Sequence, residues 1–105
     1  MTTYKLTMSY DGAQFAGFQR QSDENLLTVQ GLLEETIGTL FKTPVHIHGA
    51  GRTDAGVHAR AQVAHFSMER AIPAERLRYA LNRALPPVLV VSEAEEVDAA
   101  VQARS

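Results

Sequence analysis

A charged pair inside a glycine-rich segment is the part of the sequence best suited to chemistry. Arg52 and Asp54 stand two residues apart in the run GAGRTDAGVHA at positions 49–59. Its three glycines relax the φ restriction and disfavour a regular helix or strand, so we predict a loop that exposes both charges. A nearby guanidinium keeps a carboxylate ionised when a ligand displaces water, which suits a nucleophile or a general base.

The residues alone leave two interpretations of Asp54 open. An aspartate in a glycine-rich turn often accepts a local backbone hydrogen bond and has no further role. An ion pair between Arg52 and Asp54 on the surface would likewise contribute little to stability. A reacting carboxylate is the alternative, and it explains better why both charges are set between glycines.

The histidines raise the question of a metal site. His46 and His48 alternate along a predicted strand, and His58 and His65 are the other candidate ligands. No H-E-x-x-H or comparable spacing accompanies them, so we expect no metal and assign His58 to orienting the loop backbone. Neither the G-x-G-x-x-G nor the P-loop spacing is present, so we expect no nucleotide cofactor. The absence of cysteine excludes a thiolate nucleophile and fits a reducing cytosol.

Charge is unevenly distributed along the 105 residues. The formal net charge is −2, which globally disfavours a nucleic-acid binder. Positions 42–65 hold three cations, a single acid and all four histidines. The acids gather at Glu34, Glu35, Glu93, Glu95, Glu96 and Asp98. One face could therefore be basic enough to meet a polyanion, and a solvated mixture of charges is the plainer alternative.

Four segments have the patterns of β-strands. Apolar and polar residues alternate over 4–10, 45–48 and 61–68, which is the period of a half-buried strand. The apolar, β-branched run at 88–91 predicts a central strand. It is also the longest apolar run and too short to cross a bilayer. No secretory signal opens the chain, so we expect a cytoplasmic protein without membrane contact.

Two amphipathic helices separate these strands. Apolar residues at spacings of three and four over 29–41 predict the first helix, which Thr28 caps and Pro44 ends. The second begins at Pro73 and stops at Pro86-Pro87. The order βαββαβ predicts an α+β ferredoxin-like fold, a four-stranded antiparallel sheet with both helices on one face, in a single domain.

The aromatic residues divide into two predicted groups. Tyr4 and Tyr10 alternate with polar neighbours, so we expect them in the core. Phe15, Phe18, Gln19 and Arg20 fall in a predicted loop, where contact with a ligand is more frequent.

Several ordered motifs resemble the amino-terminal domain of the tRNA pseudouridine synthase A family. They are YDG at 10–12, FAGFQRQ at 15–21, TVQ at 28–30 and, most specifically, AGRTDAGVHA at 50–59, with Gln62 and His65-Phe66 behind it. The resemblance implies conversion of uridine to pseudouridine in the anticodon stem-loop of tRNA. It also implies that no cofactor or metal is used and that the full-length enzyme acts as a homodimer.

The resemblance also implies roles for individual residues. Asp54 is similar to the catalytic aspartate, which attacks the sugar or removes a proton from it. Arg52 resembles the arginine that helps displace the target base. The remaining RNA-binding candidates are Gln19, Arg20, Lys5, Arg60 and His58, and the loop-shaping residues are Gly51, Thr53 and Gly56.

Some positions depart from the family pattern. Phe18 replaces a usual tryptophan, and near the end only Ala103 and Arg104 match. The tyrosine that stacks on the target uracil, and the family's second domain, would follow Ser105. We therefore expect negligible turnover by residues 1–105 alone. A noncatalytic RNA-binding or interaction module is the second hypothesis, and a histidine-ligated metal protein is a third.

Overall fold

A four-stranded antiparallel sheet is the frame of the computed structural model, which describes residues 1–23, 25–49 and 59–97, without the side chains of 59 and 60. The strands are β1 (Thr2–Tyr10), β2 (His48–Gly49), β3 (Ala59–Met68) and β4 (Leu89–Val97), in the spatial order β2-β3-β1-β4. Helix α1 (Val29–Phe41) follows β1, and α2 (Ala74–Ala84) follows β3. This architecture confirms the predicted α+β ferredoxin-like fold. None of the helices in this part of the chain has the length and apolar character to cross a bilayer.

One face of the sheet is buried against both helices. Alternate residues of β1 point into this core and are at most 5% exposed, which confirms the predicted pattern; they are Tyr4, Leu6, Met8 and Tyr10. Strand β3 contributes Phe66, whose ring stacks on Tyr4 at a centroid distance of 5.6 Å. Leu33 of α1 and Leu77 of α2 are fully buried in the same cluster.

Helix α1 begins and ends as its sequence predicts. The Thr28 hydroxyl accepts a hydrogen bond from the Gly31 N–H at 3.1 Å, which caps the helix. At the other end Lys42 adopts a left-handed conformation with φ of 54°, two residues before Pro44. Thr28 therefore fixes the first turn, in which Gln30 accepts the Arg20 N–H of the preceding loop at 2.8 Å.

Strand β4 corrects one prediction. It lies at the edge of the sheet, whereas its apolar start predicted a central strand, and Val90 is 43% exposed. The strand also continues to Val97 through a charged stretch, which is typical of an edge. A register shift opposite Thr7 and Met8 interrupts its pairing with β1, and the Ser92 hydroxyl donates to the Thr7 carbonyl there at 3.1 Å.

The middle strands differ from their predicted bounds. Strand β2 contains only His48 and Gly49, although 45–48 was expected. The Ile47 N–H donates to the Glu34 carboxylate at 2.9 Å rather than to the sheet, because this segment lies against α1. Strand β3 begins at Ala59, two residues earlier than predicted.

The Tyr4 hydroxyl joins β1 to the segment before α2. It donates to the Ile72 carbonyl and accepts from the Ile72 N–H, both at 2.8 Å. Tyr4→Phe is expected to lower the free energy of unfolding by about 1–3 kcal/mol, because both Ile72 groups lose their partner in a part-buried site. Urea unfolding measures this. Tyr79→Phe, at a residue 59% exposed, is the control, and an equal effect of the two changes would contradict the prediction.

Candidate functional site

The glycine-rich run lies between two adjacent strands. Strand β2 ends at Gly49 and β3 begins at Ala59, which pairs with Tyr10 at the carboxyl end of β1. The run therefore rejoins the sheet at that end of β1. The predicted site residues within it lie outside the described residues, as does the Arg60 side chain; they are Gly51, Arg52, Thr53, Asp54, Gly56 and His58.

The loop after β1 lies at the same end of the sheet. Its first residue, Asp11, donates its N–H to the Val88 carbonyl at 3.0 Å, and Phe15 packs edge-on against Tyr10 at 5.7 Å. The expectation that Phe15 and Phe18 contact a ligand is corrected, because they are only 5% and 2% exposed. The segment has no periodic pattern of apolar residues, so sequence reasoning did not predict this burial.

Arg20 is the RNA-binding candidate whose contacts the structure describes in most detail. Its N–H donates to the Gln30 side-chain oxygen at 2.8 Å, and its Nε lies 3.1 Å from Glu34 Oε1. The side chain nevertheless stays 57% exposed. Gln19 beside it is also exposed, so both residues present polar groups to solvent at this end of α1.

The contacts of Glu34 were not predicted by sequence reasoning, which placed it only among the acids. Its Oε2 accepts hydrogen bonds from the Ile47 N–H at 2.9 Å and from Gln30 Nε2 at 3.0 Å, and it lies 3.4 Å from His46 Nδ1. The side chain is only 11% exposed. The available signal was the i, i+4 spacing of Gln30 and Glu34, which places two polar side chains on one side of the helix.

A surface groove of about 240 Å³ lies beside Arg20. Leu26, Leu27 and Thr28 contribute to its wall. Among the described residues that line it, Arg20 is the only cation, and Asp23 and Glu35 are acids. This balance of charge does not favour phosphate binding inside the groove.

Lys5 is separated from Arg20 by the sheet. It lies on the open face, opposite the helices, where its Nζ is 3.4 Å from Glu95 Oε1. Both side chains are substantially exposed, so this ion pair contributes little to stability. Lys5 and Arg20, two of the RNA-binding candidates, thus face different sides of the domain.

Three histidines form a row at the β2 edge of the sheet. The rings of His48 and His65 stack at 5.1 Å across the strand pair, and His46 meets His48 edge-on at 4.4 Å. Burial lowers the pKa of both His48 and His65, and the charge of the neighbouring histidine lowers each further. Within residues 1–23, 25–49 and 59–97, no group of three or more His, Cys, Asp or Glu is placed to hold a metal.

This row of histidines predicts a loss of stability on acidification. Folding lowers the pKa of His48 and His65, so the unfolded chain binds protons at pH values where the folded chain does not. The free energy of unfolding is therefore expected to decrease as the pH falls below about 6.5. The decrease ends when the pH reaches the lowered pKa values of the folded protein. The charge of Glu34 raises the pKa of His48 and so opposes part of this lowering. In the pairing of β1 with β3, Lys5 lies opposite His65.

Urea unfolding between pH 7.5 and 5 measures this dependence. The matched variant carries His48→Gln and His65→Gln, and it is expected to show a smaller slope of stability against pH. An unchanged slope would assign the acid sensitivity to other groups.

Comparison with known proteins decides the family. A family model described as tRNA pseudouridine synthase matches residues 6–104. The chain belongs to this family. The match includes the run at 50–59 and the loop that holds Arg20, so it confirms the resemblance that the motifs predicted.

Individual relatives agree with this assignment. The chain is 52% identical over 99 residues to tRNA pseudouridine synthase A of Solibacter usitatus, a match that covers 94% of the chain and 40% of that protein. It is 49% identical over 105 residues to the same enzyme of Bradyrhizobium diazoefficiens, with 99% and 42% covered. For Brevibacillus brevis the identity is 43% over 104 residues, with the same coverage. The chain thus spans about 40% of the length of these curated relatives.

Proposed function

We propose that this chain supplies the catalytic aspartate of a tRNA pseudouridine synthase and that Asp54 reacts with a uridine of the anticodon stem-loop. The observation that carries the proposal is the family match, which spans the AGRTDAGVHA run. The position of that run between β2 and β3 supports it, because a loop joined to a rigid sheet can hold a reactive side chain in place.

The chemistry requires only one reactive group beside the sugar. The N1–C1′ bond of uridine breaks, the uracil rotates, and C1′ bonds to C5; the C5 proton then leaves and N1 takes up a proton. No atom or electron is gained overall, so we propose that no cofactor takes part. The Asp54 carboxylate either attacks the sugar or removes a proton from it.

The target base must leave its stack before Asp54 reaches the sugar. Extrusion costs a few kcal/mol, and we assign to Arg52 the role of occupying the space that the uracil leaves. Arg20 and Gln19 contact the RNA backbone beside this site, and Arg60 and His58 flank it in sequence. Lys5 is a weaker candidate, because Glu95 holds its ammonium group on the open face of the sheet.

We assign loop-shaping roles to the small residues around Asp54. Gly51 and Gly56 allow backbone conformations that a side chain would hinder. Thr53 carries a hydroxyl that can bond to the neighbouring backbone.

The assembly and the location follow the same proposal. We place the protein in the cytoplasm, where it acts on tRNA as part of a homodimeric enzyme. The chain covers about 40% of its relatives' length, and positioning supplies much of the rate in such reactions. We therefore propose that residues 1–105 alone turn over tRNA negligibly.

Tritium release tests the proposed activity. Residues 1–105 are joined to the remaining part of the Solibacter usitatus relative, and the chimera is given tRNA labelled with tritium at C5 of uridine. We expect label to appear in water, because C5 loses its hydrogen when it bonds to C1′. Binding of tRNA by a folded chimera without release would favour the second hypothesis, a noncatalytic RNA-binding module.

A further inference from the structure

We propose that Glu34 is a positioning residue of this site: one carboxylate sets the Arg20 guanidinium and the backbone that enters β2 relative to each other. The inference rests on the proposed function, since it takes Arg20 as an RNA contact and the run after β2 as the catalytic segment. Glu34 itself touches no substrate in this proposal. Its effect on the reaction passes through Arg20 and Ile47.

The contacts of Glu34 divide between its two oxygens. Oε1 faces Arg20 Nε at 3.1 Å, while Oε2 accepts the Ile47 N–H at 2.9 Å and Gln30 Nε2 at 3.0 Å. His46 Nδ1 lies 3.4 Å from Oε2. Only 11% of the Glu34 side chain is exposed, so its hydrogen bonds from the buried Ile47 and Gln30 are little screened by solvent. Arg20 is 57% exposed, so its ion pair with Glu34 is partly screened.

Helix α1 provides a second connection to the segment that holds Arg20. Gln30 is 5% exposed and accepts the Arg20 N–H through its side-chain oxygen at 2.8 Å, while its amide donates to Glu34. A Cβ at Gly31 would lie 3.0 Å from the Thr28 hydroxyl oxygen, so the glycine leaves room for the helix cap, whereas Arg20 Nε at 3.5 Å would be in ordinary van der Waals contact. One side of α1 thus holds both the segment before the helix and the segment after it.

The geometry leaves Arg20 able to bind an anion. The ion pair with Glu34 joins Nε to Oε1 at 3.1 Å. The side chain is 57% exposed, so the guanidinium can reach a phosphate oxygen. Because Glu34 already restricts the guanidinium, less side-chain entropy is lost when RNA binds.

The bond to Ile47 acts on the other part of the site. Ile47 is 1% exposed, and the two residues that follow it make up the whole of β2. A strand this short has few ladder hydrogen bonds, so the side-chain acceptor on α1 fixes where the chain enters the run at 50–58. Loss of this bond is expected to displace Asp54 relative to its substrate.

A double-mutant cycle tests the connection to Arg20. Glu34→Gln keeps an oxygen that can accept from Ile47 but removes the charge that faces Arg20. We expect the dissociation constant of the chimera for tRNA at 0.1 M salt to rise about tenfold with Arg20 present and less than about twofold in the Arg20→Ala background. Glu69→Gln, the same change at an exposed acid that does not line the groove beside Arg20, is the control and is expected to have little effect.

Equal losses in both backgrounds would overturn the inference, because a role in stability alone does not depend on Arg20. Glu34→Ala also removes the acceptor of Ile47 and is expected to lower kcat about tenfold further than Glu34→Gln. If Glu34→Ala fails to fold, hydrogen exchange of the Ile47 amide is measured in the Glu34→Gln protein instead. An unprotected amide there would contradict the inference that a side-chain oxygen at position 34 holds the Ile47 N–H. Binding is measured without turnover, so an inactive chimera would refute the proposed function while the cycle still decides the role of Glu34.

Discussion

Asp54→Asn is expected to abolish tritium release by the chimera while leaving its affinity for tRNA within about threefold. Asparagine has nearly the shape of aspartate, so the side chain keeps its size. The amide has neither the negative charge nor the basicity of the carboxylate that it replaces. If Asp54 removes a proton, the loss in turnover is expected to be about 10²–10⁴-fold. If it attacks the sugar, the loss is expected to reach about 10⁴–10⁶-fold, since no other group replaces a nucleophile.

Asp23→Asn is the matched control for this change. The Asp23 carboxylate accepts the Asn25 N–H at 2.9 Å in an exposed turn, which is the structural role that a turn aspartate usually has. Its substitution is expected to change tritium release less than about twofold. If Asp54→Asn retained as much activity as Asp23→Asn, Asp54 would have only a structural role like that of Asp23. That result would refute the proposed mechanism.

The parts of the fold that could be predicted are those where local pattern and tertiary packing agree. The alternation from Tyr4 to Tyr10 matches the buried face of β1, and Thr28 caps α1 because its hydroxyl is placed by local backbone geometry. Both signals depend on neighbours in sequence. They could therefore be recognised before the tertiary contacts were known.

The place of a strand within the sheet is not encoded in this way. Leu89 and Val91 face the core, so an apolar run is needed even at an edge that pairs on one side only. Phe15 and Phe18 were placed wrongly for a related reason. They come from a loop without periodicity, and only the folded sheet and helix supply the surface that buries them.

The candidate site shows the same division. The motif around Asp54 could be recognised from sequence alone, because its residue types are consecutive. The contacts of Glu34 join residues 14 positions before it and 13 after it, so no local pattern contains them. Glu34 was thus counted as one acid among several, although it is largely buried and bonded to two separate segments.

Arg52→Ala is expected to reduce turnover much more than affinity, by about a hundredfold in kcat with less than about fivefold in the dissociation constant for tRNA. A side chain that occupies the place of an extruded base acts on the flipped state and contributes little to the initial complex. Its loss is therefore expected to raise the activation barrier of the reaction by part of the cost of base extrusion, which is a few kcal/mol in all. Single-turnover tritium release and equilibrium binding measure the two quantities separately.

Arg20→Ala is also an arginine-to-alanine change, but we expect it to affect tRNA affinity more than turnover, the opposite of Arg52→Ala. Arg20 is proposed to contact phosphate outside the reacting centre, so its loss is expected to weaken binding, to reduce the salt dependence of the dissociation constant and to leave single-turnover release at saturating enzyme nearly unchanged. If Arg52→Ala instead gave this pattern, Arg52 would be a phosphate contact like Arg20. The uracil would then have to leave its stack without an arginine in its place, and Asp54 would remain the only residue of the run assigned to the reaction itself.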